Sequence, residues 1–187
     1  MRGSRDPGKL TNWKAQAGSK ASVGTFVETA KFGQILALAV KGSAAEAVIR
    51  ECGTALAGKT ILDTTNPITD APPVNGVLAY FTGPNESLME RIQNAAPTAH
   101  VVKCFSIVSS SLMVDPVIKG GPPTMFICGN NAGAKAQATE ILHTFGWEVE
   151  DMGTAVAARA IEPLAILWCI PGFLRNDWTH AFKMLRP

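Results

Sequence analysis

The sequence lacks most of the signatures that would mark a metal centre, a redox dithiol or a nucleophilic enzyme. Its four cysteines, Cys52, Cys104, Cys128 and Cys169, form no Cys-x-x-Cys pair. They read as free thiols in a reducing, cytoplasmic setting, three of them inside apolar runs. His100, His143 and His180 lie far apart, without ligand spacing to Cys or Asp, which argues against a structural metal. No Ser-His-Asp logic, no His-Glu-x-x-His and no carboxylate pair can be assembled. Charge is sparse as well: 17% of residues are charged, and the net charge of +2 comes with no basic cluster. Nucleic acid and anionic membrane surfaces are therefore not expected partners. The N-terminus is polar and has no apolar core of the signal-peptide kind. Residues 155–174 are the most apolar long stretch, but Arg159, Glu162, Pro163 and Pro171 interrupt them. That pattern favours a buried interface helix over a membrane span. No internal repeat and no low-complexity tract is found.

What is present is a globular composition, 47% hydrophobic over 187 residues, enough for one domain with a core and a small extension. Short apolar runs alternate with helical segments. Residues 34–40 are nearly all apolar, as in a strand covered on both faces. Ser43 with Glu46 reads as a capping box opening a helix that runs to about Leu56 and stops at Gly58. Residues 60–63 form the next strand, followed by a long Pro-, Gly- and Asn-rich loop over 68–84, read as a lid or site edge. Asn85 is the expected cap of a helix with Leu88 and Ile92 on one face. Residues 100–105 and 124–128 read as strands, 133–145 as a helix and 147–151 as a last strand. Residues 154–185 read as helical, with a break at Pro171-Gly172. The order predicts an α/β, Rossmann-like parallel sheet with helices on both faces. Residues 1–152 would form the nucleotide-binding domain and residues 153–187 a C-terminal helical segment.

In such sheets ligands bind at the carboxyl ends of the strands, and the candidates follow strands. Gly3-Ser4-Arg5 offers a hydroxyl and a forked guanidinium, a pairing suited to a phosphate monoester. The bland alternative is a helix cap beside a surface Arg. Val40-Lys41-Gly42-Ser43 places a cation at a strand end, beside a pyrophosphate or simply in a solvated turn. Asn66-Pro67 can hydrogen-bond a carboxamide or ribose, or form a plain turn. Lys103, in an apolar strand, either snorkels or faces a ligand. Ser106 follows the same strand. Without a nucleophile–base pair, the chemistry that remains is one of positioning and water exclusion, as in hydride transfer.

Taken in order, Gly3-Ser-Arg-Asp-Pro7, Leu38-Ala-Val-Lys41, Asp63-Thr-Thr-Asn-Pro67, Val101-Val-Lys-Cys-Phe105, Met125-Phe-Ile-Cys-Gly-Asn130 and Ala158-Arg-Ala-Ile-Glu-Pro-Leu164 resemble the coenzyme F420-dependent NADP oxidoreductases. The NADPH-binding domain of the six-transmembrane metalloreductases is similar too. The resemblance implies NADP as cofactor and a deazaflavin such as F420, or a flavin, as hydride acceptor. It implies that Ser4 and Arg5 hold the 2′-phosphate and that Val40 and Lys41 line the ribose and pyrophosphate. Asn66 and Pro67 would approach the nicotinamide, and Lys103 to Val108, Ser106 included, would lie beside it. It further implies a homodimer through the C-terminal helices. Two departures stand out. Relatives often carry Asn-Thr where this chain has Cys104-Phe105-Ser106-Ile107. They also open with a strand and a Gly-x-Gly-x-x-Gly turn that seats the pyrophosphate, and that turn occurs nowhere in this sequence. The sequence is thus expected to represent an N-terminally shortened and impaired oxidoreductase. The competing reading is a non-catalytic, nucleotide-binding or dimerising remnant of the same family.

Overall fold

The computed structural model describes residues 1–187. Its strands divide into two groups. β1 (Arg2–Gly3) and β2 (Val23–Gly24) form a two-stranded parallel pair. β3 (Ile35–Leu38), β4 (Thr60–Asp63), β5 (His100–Lys103), β6 (Thr124–Gly129) and β7 (Glu148–Asp151) form a five-stranded sheet in that order. The helices are α1 (Thr11–Gln16), α2 (Phe26–Phe32), α3 (Gly42–Cys52), α4 (Leu88–Ala95), α5 (Ala132–Thr144) and α6 (Ala158–Arg175).

All four residues of β4 are buried, as are Val101, Val102 and Lys103 of β5. These are the continuous inner strands of a sheet covered on both faces. β3 departs from its expected burial. Its exposed and shielded residues alternate between the two faces, it is an edge strand paired with β4 alone, and Ile35 remains 40% exposed. The main core joins Ile49, Ile61, Leu88, Ile92, Val101, Met125 and Leu142 across these layers. At about 25 cal/mol per Å², each fully buried Leu, Ile or Met contributes roughly 1.5–3 kcal/mol before ordering costs.

Within the Rossmann-like parallel sheet one pair departs: β6 runs antiparallel to β5, with Val102 opposite Gly129 and Lys103 opposite Cys128. The connection over residues 104–123 holds only a single 3-10 turn, Ser110–Leu112. A parallel return normally needs a crossover helix, and the Pro122-Pro123 entry supplies none.

Helix starts also differ from expectation. Lys41, not Ser43, occupies the α3 cap position, and its side chain makes no cap bond. Glu46 instead pairs with Arg50 at 2.6 Å, and the helix closes at Cys52 with a 3-10 turn over Gly53–Leu56. α4 is capped by Ser87 rather than Asn85, in a reciprocal box with Glu90, worth about 1 kcal/mol.

The C-terminus is not helical to 185. α6 runs through Pro171 to Arg175 and ends at Asn176 in the left-handed conformation, a residue type that tolerates it. The chain then reverses, because Gly172 leaves room for Trp178: a Cβ there would sit 2.3 Å from the indole ring. Residues 176–187 form neither helix nor strand, and are held by Trp168 Nε1 donating to His180 O at 2.8 Å and Thr124 N to Phe182 O at 2.9 Å. Residues 155–175 are long and apolar enough to cross a membrane by length and composition. Here that segment buries Ala158, Ile161, Glu162, Ala165 and Trp168 within the fold.

Candidate functional site

Register brings three strand ends level: Leu38 lies beside Asp63, and Asp63 beside Lys103. The segments leaving these ends carry Val40-Lys41, Asn66-Pro67 and Ser106. Gly42 is what lets them converge, since a Cβ there would lie 1.9 Å from Asn66 O. Only glycine permits so close an approach.

Asn66 and Ser106 meet directly. Asn66 Nδ2 donates to Ser106 O at 2.6 Å. The remaining polar atoms of the pair, Asn66 Oδ1 and Ser106 Oγ, are shielded from solvent and have no partner. Buried polar groups are ordinarily satisfied, so the two orphaned atoms form a ready acceptor and a hydroxyl for a ligand. Phe105, just before Ser106, holds φ at 56°. A bulky residue in that region stores strain, which concentrates at binding sites.

Beneath this pair lies a buried ion cluster. Lys103 Nζ lies 2.6 Å from Asp63 Oδ2 and 2.9 Å from Glu162 Oε1, and donates to Thr65 O at 2.7 Å. All three side chains are essentially inaccessible. Burial pulls the ammonium pKa down, but Asp63 and then Glu162 outweigh burial and hold it above its ordinary value. Lys103 therefore holds the Thr65-Asn66 turn from below, with its amine fully engaged by the protein. Glu162 was not foreseen as part of the site. It accepts from Leu88 N and Met89 N, both at 2.9 Å, so α6, the start of α4 and the strand ends share one charged node. A lone Glu in an apolar helix, directly after Ile161 and just before Pro163, was its only sequence signal.

The other candidates are more open. Ser4 leaves β1, its N–H bonded to Gly24 O at 3.0 Å and its Oγ accepting from Asp6 N at 3.1 Å. Arg5 is exposed. Lys41 is exposed and pairs with Asp70 in the long loop. That loop is folded by bridges between Ile68 and Tyr80 and between Val74 and Val77. Tyr80 OH donates to Glu162 O at 2.7 Å, and burial with neighbouring Glu162 pushes the phenol pKa up. Pro67 accepts from Phe81 N at 2.8 Å. The buried thiols are poor nucleophiles: burial pushes Cys104 up and Cys128 up to about 12.

Set against known proteins, residues 1–67 match the sequence model of the family described as NADP oxidoreductase, coenzyme F420-dependent. The metalloreductase STEAP3 of Rattus norvegicus is 31% identical over 124 residues, 64% of this chain but only 23% of that protein. A solved chain from Arthrobacter sp. FB24, a candidate F420-dependent NADP reductase, is 30% identical. It superposes over 98% of this chain and 87% of its own, with a TM-score of 0.90. A Sinorhizobium meliloti protein of unassigned function shares the fold at 22% identity and a TM-score of 0.70, covering 85% of this chain and 75% of its own. With that identity and near-complete overlap, and with the order of strand-end residues above, the chain belongs to the coenzyme F420-dependent NADP oxidoreductase family.

Proposed function

We propose that the protein transfers hydride between NADP(H) and a deazaflavin- or flavin-like acceptor. The observation that carries this reading is the convergence of Asn66 Oδ1 and Ser106 Oγ, both unsatisfied, at the level ends of β3, β4 and β5. An amide oxygen in that position suits the carboxamide N–H of a nicotinamide, and the Ser106 hydroxyl suits a second polar edge. When bound, the nicotinamide supplies the hydride chemistry. Asn66 would orient the ring, and the buried Lys103–Asp63–Glu162 cluster keeps the Asn66 turn in place. Ser4 and Arg5 would take the 2′-phosphate, and Val40 and Lys41 the ribose and pyrophosphate side. Pro67 would stiffen the turn that presents Asn66.

Residues 1–187 contain no glycine-rich turn to cradle the pyrophosphate, so NADPH held by these residues alone is expected to bind weakly and turnover to be impaired. A homodimer in the cytoplasm completes the reading. Val156, Ala160, Pro163, Leu167, Ile170 and Leu174 recur at alternating four- and three-residue steps. Leu167 and Leu174 are 54% and 56% exposed, and such a stripe suits helix pairing.

Calorimetric titration tests the cofactor reading. NADPH is expected to bind more tightly than NADH. Arg5→Ala is expected to erase that preference by weakening NADPH about 10- to 100-fold, the worth of a charge-assisted phosphate contact. Equal losses for both nucleotides would overturn the 2′-phosphate role.

A further inference from the structure

The ion cluster beneath Asn66 does not balance its own charge. It sets two carboxylates, Asp63 and Glu162, against one ammonium, Lys103, with all three side chains essentially inaccessible. The Thr65 hydroxyl apart, every partner of these carboxylates is an N–H donor. Asp63 Oδ1 accepts from Thr65 N at 2.9 Å and Thr65 Oγ1 at 2.7 Å, while Asp63 Oδ2 faces Lys103 Nζ at 2.6 Å. Glu162 Oε1 accepts from Met89 N and faces Lys103 Nζ, both at 2.9 Å, and Glu162 Oε2 accepts from Leu88 N at 2.9 Å. A protonated carboxyl wants an acceptor for its own O–H; this arrangement is that of two ionised carboxylates.

The cluster therefore carries one net negative charge. The α4 amides that meet Glu162 stabilise that charge without cancelling it. Neighbouring groups add no counter-charge. Burial holds the Tyr80, Cys104 and Cys128 pKa values above their ordinary range, which leaves all three neutral. Arg91 of α4 and Arg159 of α6 are taken up by Glu46, Glu86 and Glu90. Lys103 donates to Thr65 O at 2.7 Å, so the cluster sits one residue behind Asn66, whose orphaned Oδ1 stands at the strand ends with Ser106 Oγ. A buried charge without a full counter-charge is costly. A cation docking at Asn66 lowers that cost, and a neutral ring does not.

We infer that Asp63, Glu162 and Lys103 together select the oxidation state of the nicotinamide, favouring the cationic oxidised ring over the neutral reduced one. The inference rests on the cofactor reading above. Hydride carries two electrons and one proton away from the reduced ring and leaves one positive charge on it. A site that holds the oxidised form more tightly makes the bound couple a stronger hydride donor than the free one. The cluster thus turns the site towards reducing its acceptor.

The test is calorimetric titration of the protein with NADP⁺ and with the NADP⁺ analogue bearing benzamide in place of nicotinamide. That analogue keeps the planar ring and the carboxamide but has no ring charge. At an effective dielectric of about 20, the cluster is expected to favour NADP⁺ over the analogue by about 5- to 20-fold. Glu162→Gln neutralises the cluster at nearly constant shape. It is expected to bring the two affinities within about twofold of each other, in a protein whose circular dichroism is unaltered. Should that variant unfold, the wild-type comparison still decides. Equal binding of both ligands by the wild type, or tighter binding of the benzamide analogue, overturns the inference and leaves the cofactor reading standing. So does a preference that persists in folded Glu162→Gln, with both ligands weakened alike, since Glu162 would then be structural only. Binding of neither ligand overturns the inference and the cofactor reading together.

Discussion

At the scale of single residues, the site rests on a few intolerant contacts. Gly42 is the sharpest. Its missing Cβ is what allows Asn66 O within 1.9 Å of where that atom would be. Gly42→Ala must push the Asn66 turn off the end of β3, at a cost of about 1–3 kcal/mol for overpacking. Urea unfolding is expected to show that loss together with weaker NADPH binding; unchanged affinity would separate Asn66 from the cofactor. Lys103 is intolerant for the opposite reason, since its removal leaves Asp63 and Glu162 buried without a counter-charge. Lys103→Met is expected to cost roughly 3–5 kcal/mol by the same measurement. The cluster also sets an alkaline limit. A lysine whose folded pKa is raised stabilises the fold fully below its unfolded value of about 10.4, and that contribution is lost as pH climbs through the higher folded value. Wild-type stability should therefore decline above about pH 10.4 through this group, a limb that Lys103→Met should lack; matching alkaline limbs would contradict it.

At the scale of elements, α4 and α6 are tied by ions as well as by apolar packing. Arg159 Nε and Nη2 donate to both oxygens of Glu90, at 2.9 and 2.7 Å, and Glu90 also completes the α4 capping box. The Arg159 hydrogen bond, helped by Ser87 and opposed by partial burial, holds the Glu90 carboxyl below its usual range. A depressed carboxylate stabilises the fold above its unfolded pKa of about 4.3 and loses that contribution as pH falls through the lower folded value. Arg159→Ala is expected to flatten the acid limb of a stability–pH profile below about 4.3, and an unaltered limb would count against the pair. These elements also show how much could be read beforehand. The bounds of β4 and, to within a residue, those of α5 followed from the apolar pattern. Asn66 and Ser106 were both marked from their places after strands. Apart from the local Ser87–Glu90 capping box, what escaped was decided by contacts distant in sequence. Ser87 displaces Asn85 as a cap because Glu90 is there to reciprocate. The α6 helix passes Pro171 because it packs in the core on Ile161, Ala165 and Trp168. The direction of β6 depends on a connection without a crossover helix, and Glu162 becomes part of the site only once α6 lies under β5.

At the scale of the whole molecule, the two sheet groups are unequal in their hold on the chain. The five-stranded sheet carries the core, whereas β1 and β2 contribute two residues each and α1 buries none. An isolated two-stranded ribbon is marginal in water, so residues 1–24 should open locally far more often than β4 or β5. Yet this ribbon carries Ser4 and Arg5, the proposed 2′-phosphate contacts. Binding that favours the closed state stabilises it by mass action in proportion to ligand excess over Kd. NADPH is therefore expected to slow amide exchange at Arg2 and Ser4, whose N–H groups bond Ser22 and Gly24 across the ribbon. Val101 and Val102, already fully buried in β5, should change little. NADH at the same fractional saturation lacks the phosphate and should protect Arg2 and Ser4 less. Equal protection by both nucleotides would mean that the ribbon closes for a reason other than Arg5, and the selectivity for NADP would have to be sought at Lys41 instead.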